Sequence, residues 1–194
     1  MSVNPRRDKR LRNELKKMRK SPIEHTYILP DPTDNLLWYY LVVGPKDSDF
    51  EGGSYIGKIV LPVNYPAAPP QFFMLTPTGR FLAGKEICLS NSRYHANEWS
   101  PAWGIQTMVI GMISIMLDDS ENGISHIHQS RGVRQGLAKD SDAYNRKNFS
   151  AVYEDLLALV EERKKQEEKA AKKAAKKAAK KAAKKAAKEI VETV

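Results

Sequence analysis

The chain has 194 residues and a single cysteine, Cys88. A lone cysteine cannot form an internal disulfide, so the fold does not depend on one. Most free cysteines are small buried hydrophobic residues, and the alternative is a thiol nucleophile. Cys88 follows a strand-like run, 72–75, and a Pro/Gly turn, and it precedes small polar residues that end at Trp99. Functional groups concentrate on such irregular segments between packed elements, which favours a nucleophile here.

Histidines near the thiol could carry protons. Three of the four histidines, His95, His126 and His128, lie on segments expected to flank Cys88. Histidine is the usual proton carrier near neutral pH, so we expect His95 to be catalytic, with His126 as the rival position. Each could instead be a surface loop residue. No further Cys or His accompanies His126 and His128, so the sequence predicts neither a metal site nor a cofactor.

If the thiol attacks a carbonyl group, nearby polar side chains could stabilise the oxyanion that forms, because that task needs hydrogen-bond donors. The candidates are Thr78, Arg80 and Asn91, which could also support the group that accepts the acyl chain from the thiol. The competing interpretation is that these side chains stabilise turns, because short polar side chains commonly bond the local backbone.

An ordered set of motifs resembles the ubiquitin-conjugating enzyme family over roughly residues 5–160. In chain order the motifs are Gly44-Pro45, Phe50-Glu51-Gly52-Gly53-Ser54-Tyr55-Ile56-Gly57, Pro62, Tyr65-Pro66, Pro69-Pro70, Ile87-Cys88-Leu89 and Trp99-Ser100-Pro101. The resemblance implies that Cys88 accepts ubiquitin as a thioester and that ubiquitin then passes to an acceptor. The alternative is an inactive conjugating-enzyme-like module that binds ubiquitin or a ligase, although such modules typically lack the cysteine.

Departures from the family pattern indicate one branch. Most members carry His-Pro-Asn before the cysteine, whereas this chain has Thr76-Pro77-Thr78-Gly79-Arg80-Phe81. That segment is similar to Thr-Pro-Asn-Gly-Arg-Phe of the tail-anchored, endoplasmic-reticulum-associated branch, with Thr78 in place of its Asn. The branch also has His-Pro-x-x-Trp after the cysteine, and this chain has His95-Ala-Asn-Glu-Trp99. The resemblance implies lysine or hydroxyl acceptors and a role in endoplasmic-reticulum-associated degradation.

The same resemblance implies three kinds of partner: ubiquitin, its activating enzyme and a ubiquitin ligase. The activating enzyme is expected to bind the N-terminal helix, through Arg6, Arg7, Lys9 and Arg10. The ligase is expected to bind two loops, through Pro66, Ala67, Pro101 and Ala102. Ala67 stands where the family often has Phe, which removes a large apolar anchor from that surface.

The sequence predicts an α+β fold with an N-terminal helix, a four-stranded antiparallel meander, a central buried helix and C-terminal helices. Runs rich in aromatic and aliphatic residues predict strands over 23–29, 36–43, 54–61 and 71–75, joined by short turns. Leu11, Leu15 and Met18 give the helix over 5–20 an apolar face. Ser100-Pro101 predicts the start of the central helix, which runs to Leu117 and is apolar almost all round. Ser141 is the predicted cap of a last helix.

Charge and composition predict a catalytic domain over residues 1–160 and a basic tail over 161–194. The net charge is +9, yet residues 21–160 carry −5 while 1–20 and 161–194 carry +7 each. A nucleic-acid-binding domain would have a basic body, which argues against that class. The tail repeats Ala-Ala-Lys-Lys, typical of a solvated helix or a disordered segment, and we expect weak contact with anionic membranes. Without a signal peptide or an apolar span, we expect a cytoplasmic protein, at the cytosolic face of the endoplasmic reticulum by the resemblance.

Overall fold

The computed structural model describes residues 4–89 and 97–192, with side chains through residue 179. The described elements, in chain order, are α1 (Pro5–Lys20), β1 (Thr26–Pro30), β2 (Leu37–Val43), β3 (Ser54–Val60), β4 (Gln71–Met74), α2 (Ile105–Leu117), α3 (Arg131–Asn148) and α4 (Ser150–Glu192). The predicted α+β order is confirmed. The chain divides into two compact units, Met1–Leu156 and Leu157–Val194.

The four strands form one antiparallel sheet in the order β1-β2-β3-β4, which confirms the predicted meander. Close approach between strands requires glycine at position 57, because a Cβ there would overlap the ring of Tyr40 on β2. The hydroxyl of Tyr40 then donates to the carbonyl of Phe73 on β4, 3.0 Å away. One buried side chain therefore ties three strands together behind the segment that leads to Cys88.

The core lies where helices cover the sheet. Strand residues such as Trp38 and Phe72 pack with Leu11 of α1, with Met112 of α2 and with Ala138 of α3. The predicted apolar face of α1 is confirmed, since Leu11 is buried and its partners Leu15 and Met18 pack against the same cluster.

The predicted start of the central helix at Ser100-Pro101 is wrong, because α2 begins at Ile105. Ser100 opens a separate turn instead. Its carbonyl accepts from the backbone N–H of Trp103 at 2.9 Å, and its hydroxyl accepts from the N–H of Ala102 at 3.3 Å. Ser100 thus makes the hydrogen bonds expected of a helix cap, but they close a separate turn that ends at Trp103, before α2 begins.

The cap of α2 comes from a distant residue. The Glu14 carboxylate on α1 accepts from the backbone N–H of Ile105 at 2.9 Å, which satisfies one of the unpaired donors at the helix start. A Cβ at position 104 would lie 2.6 Å from the same carboxylate, so Gly104 leaves room for it. The start of α2 is therefore fixed by a tertiary contact and not by its own sequence.

The central helix is apolar almost all round, as predicted, but only one of its faces is buried. One face of α2 is buried, with Ile105, Met108, Val109, Met112 and Met116 in the core. On the other face Ile110 is 48% exposed and Leu117 is 47% exposed. The apolar composition of this helix therefore exceeds what the core requires.

Ser141 does not cap a helix, contrary to the prediction. It lies inside α3, where its hydroxyl donates to the carbonyl of Ala138 at 2.6 Å and accepts from the N–H of Ser54 at 2.8 Å. The Ser141 hydroxyl thus provides an acceptor for the backbone N–H of Ser54, the first residue of β3. Beyond α3, α4 carries the Ala-Ala-Lys-Lys repeat as helix to Glu192. Within the described chain, no helix is long and apolar enough to span a membrane.

Candidate active site around Cys88

Cys88 lies on an irregular segment after β4, and its side chain is partly exposed. The neighbouring side chains Ile87 and Leu89 are buried, at 0% and 2% exposure. The backbone N–H of Ile87 donates to the carbonyl of Phe72 at 2.8 Å, which attaches the segment to β4. The thiol is therefore held between two buried anchors at the edge of the sheet.

A turn over residues 123–126, here called the thiol-side turn, lies against the cysteine. The N–H of Cys88 donates to the carbonyl of Ile124 at 3.1 Å, and Nε2 of His126 lies 2.9 Å from the carbonyl oxygen of Cys88. A Cβ at position 123 would lie 3.2 Å from Cβ of Cys88, so Gly123 is nearly in contact with the Cys88 side chain. His126 was predicted near the thiol, and the structure brings the two residues together.

Thr78 and Arg80 lie on the segment that runs beside the thiol-side turn. The Thr78 hydroxyl accepts from the backbone N–H groups of Arg80 at 3.0 Å and Phe81 at 3.1 Å. The carbonyl of Arg80 accepts from the N–H of Ile127 at 3.0 Å, and the N–H of Leu82 donates to Ser125 at 2.9 Å. Thr78 and Arg80 are fully buried, at 0% exposure, so their side chains contact the surrounding backbone and not solvent.

The Arg80 guanidinium holds the loop that follows α2. Its Nη2 donates to the carbonyls of Asp118 at 2.9 Å and Glu121 at 2.6 Å, and its Nε lies 3.6 Å from the Asp119 carboxylate. Burial lowers the pKa of Arg80, and the Asp119 charge opposes that shift. Arginine remains charged in proteins, so a buried cation fixes the loop leading to the thiol-side turn.

Arg134 is a contributor to this site that sequence reasoning missed. It is 3% exposed, and its guanidinium donates two hydrogen bonds to the Asp119 carboxylate, from Nη2 to Oδ1 at 2.6 Å and from Nη1 to Oδ2 at 3.0 Å. These hydrogen bonds lower the pKa of Asp119. The two residues are fifteen apart in sequence. The helix spacings of three or four residues therefore could not reveal the pair.

Three residues that the sequence offered as candidates remain: His128, Asn91 and His95. Nε2 of His128 lies 2.9 Å from the side-chain oxygen of Asn122, and its Nδ1 lies 3.6 Å from the Asp119 carboxylate. His128 therefore belongs to the loop after α2. Asn91 and His95 fall outside the described residues.

The four basic residues predicted to meet the activating enzyme divide into two pairs. Arg6 and Lys9 are exposed on α1. Arg7 is 3% exposed and its Nη1 donates to the carbonyl of Val63 at 3.2 Å. Nη2 of Arg10 donates to the carbonyl of Trp103 at 2.7 Å, and its Nε donates to Glu14 at 2.7 Å. Two of the four cations therefore support the fold.

The two loops predicted to bind a ligase are joined by a hydrogen bond from the indole N–H of Trp99 to the carbonyl of Pro66, at 2.9 Å. Ala67, Pro101 and Ala102 are exposed, and Pro66 is partly exposed. The ring of Trp99 also lies 6.3 Å from that of Trp103 in an edge-to-face arrangement. The hydrogen bond holds the two loops on one surface, and the ring contact packs the second loop against the residues that precede α2.

The chain is similar to known proteins in both sequence and structure. Residues 10–148 match the family model described as ubiquitin-conjugating enzyme. Human ubiquitin-conjugating enzyme E2 G1 has a similar structure, with a TM-score of 0.53 and 27% identity, covering 60% of this chain and 99% of that chain.

Curated relatives give the same family description. Ubiquitin-conjugating enzyme E2 J2-like of Dictyostelium discoideum is 37% identical over 72% of this chain and 81% of its own length. E2 34 of Arabidopsis thaliana is 40% identical over 71% of this chain and 57% of its own length. Human E2 J2 is 35% identical over 83% of this chain and 61% of its own length. The chain thus spans about three fifths of the plant and human relatives.

Proposed function

Because the chain belongs to the ubiquitin-conjugating enzyme family, we propose that Cys88 accepts ubiquitin as a thioester and passes it to a lysine or hydroxyl acceptor. The observation that carries the proposal is that Cys88 is a partly exposed residue between buried Ile87 and Leu89. The Cys88 thiolate attacks the carbonyl carbon of the ubiquitin thioester on the activating enzyme, whose own thiolate leaves. An acceptor amine or hydroxyl then attacks the new thioester, and Cys88 leaves as a thiolate. A thiolate suits both steps, because it is a strong nucleophile and a good leaving group.

The proposal predicts charging of the purified chain. Incubation with the activating enzyme, ATP and ubiquitin should add one ubiquitin to the chain, visible on a non-reducing gel. A thiol reductant should remove the ubiquitin, because the reductant attacks the thioester carbonyl and Cys88 leaves as a thiolate. The control lacks ATP. Two outcomes would refute the proposed thioester function. One is an adduct that survives reductant. The other is no adduct at all, while a known conjugating enzyme forms its thioester normally in a parallel reaction.

We propose that Thr78 and Arg80 support the site by holding backbone. Thr78 fixes the segment beside the thiol-side turn, and Arg80 fixes the loop after α2 through two carbonyls. For the residues outside the described chain, we propose that His95 acts as the base for the acceptor and that Asn91 supports the oxyanion. A hydroxyl acceptor requires a base more than an amine does, so His95 would matter most for serine and threonine.

We propose that α1 binds the activating enzyme mainly through its exposed cations, Arg6 and Lys9. Arg7 and Arg10 already bond to the fold, so they are less free to meet a partner. Similarly, exposed Ala67 with Pro101 and Ala102 supports a ligase surface on the two loops joined by Trp99.

The double variant Arg6→Glu with Lys9→Glu should charge about tenfold more slowly at low salt, because rim charges chiefly set association rates. Discharge of a preformed thioester should be unchanged, since the activating enzyme plays no part in that step. The matched control is Lys139→Glu with Lys147→Glu, which makes the same charge change at exposed positions of α3. Equal slowing by both double variants would mean that net charge, and not α1, attracts the activating enzyme.

We further propose that the chain works in endoplasmic-reticulum-associated degradation at the cytosolic face of that membrane. The support is the segment 76–81, which resembles that branch of the family. Exposed lysines on α4, among them Lys172, Lys173, Lys176 and Lys177, support weak contact with anionic lipids. Each lysine near such a surface contributes about 1 kcal/mol. The charges spread around the helix and are screened by salt, so we propose that this contact is reversible.

A further inference from the structure

Both backbone polar groups of the nucleophile bond to the thiol-side turn, residues 123–126. The N–H of Cys88 donates to the carbonyl of Ile124 at 3.1 Å, and the carbonyl of Cys88 faces Nε2 of His126 at 2.9 Å. The turn itself is closed by the N–H of His126, which donates to the carbonyl of Gly123 at 3.0 Å. Within it, Ser125 adopts a left-handed φ of 70°, a conformation that a non-glycine residue enters at some cost.

The partners of the His126 ring decide which nitrogen carries a proton. A carbonyl oxygen can only accept, so the bond to Cys88 requires a hydrogen on Nε2. The other nitrogen, Nδ1, lies 3.5 Å from the carbonyl of Glu121, which is again an acceptor. Neutral histidine has one N–H, so the shorter contact selects the Nε2–H tautomer. In the charged form both nitrogens donate, and in neither form does Nε2 have a lone pair to take a proton.

The ring is also held in place by packing. It stands edge-on to Phe81, with centroids 5.4 Å apart and an interplanar angle of 69°. A Cβ at position 123 would lie 3.2 Å from both Cε1 of His126 and Cβ of Cys88, so glycine lets ring and nucleophile lie on the two sides of this residue. The donor is thus aimed at Cys88 by its surroundings.

From this geometry we propose that His126 is a positioning residue, which rests on the proposed function of Cys88. Its Nε2–H holds the Cys88 carbonyl and thereby fixes the direction in which the thiol faces its partners. The nitrogen that faces Cys88, Nε2, therefore does not serve as a base for the acceptor. A base acts only when ubiquitin leaves Cys88, whereas a group that orients the thiol acts both when ubiquitin arrives and when it leaves.

The test compares His126→Gln with His126→Asn. The glutamine amide nitrogen reaches the place of Nε2, whereas the asparagine nitrogen reaches only that of Nδ1, and neither side chain is a base. We expect His126→Gln to keep charging and discharge rates near the wild type. We expect His126→Asn to lose about tenfold in both, as misplacement of a reacting group by a fraction of an ångström costs rate steeply. Thermal unfolding of each variant shows whether it is folded.

A readout that needs no ubiquitin separates this proposal from the function of the chain. Cys88 is the only thiol, so iodoacetamide reports on it directly. Alkylation should be faster in His126→Asn, because the freed segment opens more often, and unchanged in His126→Gln. Suppose that the wild-type chain forms no ubiquitin thioester, yet His126→Asn is alkylated faster than His126→Gln and the wild type. The proposed function is then wrong, and the positioning role of His126 stands. Equal behaviour of both variants in alkylation, or loss of discharge alone in both, overturns the positioning role.

Discussion

Replacing Cys88 with alanine will abolish the reductant-sensitive adduct with ubiquitin. The chain contains no other thiol, so no second site can form a thioester. Cys88→Ser should give either an ester that resists reductant or no adduct, because a serine hydroxyl is a weaker nucleophile at neutral pH and a poorer leaving group than a thiol. The measurement is a gel of charging reactions with and without reductant.

Loss of the adduct must be separated from loss of the fold. The Cys88 side chain is partly exposed and serine is close to it in size, so the midpoint of urea unfolding should change little. A folded Cys88→Ser chain that does not charge, or that forms a reductant-resistant adduct, matches the account. A reductant-sensitive adduct on Cys88→Ala would contradict it.

Replacing Glu14 with alanine should lower the free energy of unfolding by about 2–4 kcal/mol, because each buried donor left without an acceptor costs about 1–3 kcal/mol. Glu14 is 5% exposed and accepts from Arg10 Nε at 2.7 Å, from the Tyr65 hydroxyl at 2.7 Å and from the Ile105 N–H at 2.9 Å. Burial and the nearby Glu14 raise the pKa of Tyr65, so its hydroxyl keeps the proton that it donates. Alanine would leave all three donors without this acceptor, which is costly in a buried site.

Urea unfolding of three variants tests this interpretation of Glu14. Glu14→Gln keeps the size and one acceptor oxygen, so its loss should be smaller than that of Glu14→Ala. Lys16→Ala, on the exposed side of the same helix, should change the free energy by less than about 0.5 kcal/mol. A loss below about 1 kcal/mol for Glu14→Ala would mean that water or another group replaces the carboxylate.

The hydrogen-bonded group around Glu14, formed with Arg10, Tyr65 and Ile105, also links the surface proposed for the activating enzyme to the surface proposed for the ligase. Arg10, on the helix proposed to bind the activating enzyme, donates both to Glu14 and to the carbonyl of Trp103. Trp103 packs against Trp99, which holds the other loop of the proposed ligase surface through Pro66. A variant that loosens Glu14 should therefore disturb both surfaces.

Local patterns predicted the sheet because each strand pairs with its neighbour along the chain and carries its own buried apolar residues. The start of α2 could not be predicted in this way, since its capping carboxylate lies 91 residues earlier in the chain. Ser141 misled for a similar reason: a serine suits a helix cap, but here its hydroxyl bonds to Ser54, which is 87 residues away. Side-chain partners at long sequence separation are invisible to spacing rules.

The candidate site likewise combines features that local sequence patterns predict with features that depend on distant contacts. Cys88 could be proposed from the sequence as the nucleophile because it is the only thiol and lies within an ordered set of motifs. Thr78 and Arg80 were chosen for their hydrogen-bonding groups, yet the backbone that those groups bond depends on the path of the chain. The tautomer of His126 follows only from the two carbonyls around its ring, which no sequence pattern reveals.

The central claim is that ubiquitin on Cys88 is an intermediate on the way to an acceptor. A pulse-chase measures this directly: the chain is charged with labelled ubiquitin, charging is stopped by removing ATP, and free lysine or serine is added. The account predicts that label leaves Cys88 at a rate that rises with acceptor concentration and appears on the acceptor at the same rate. Label that leaves Cys88 at one rate whatever acceptor is present, and that appears only as free ubiquitin, would contradict it.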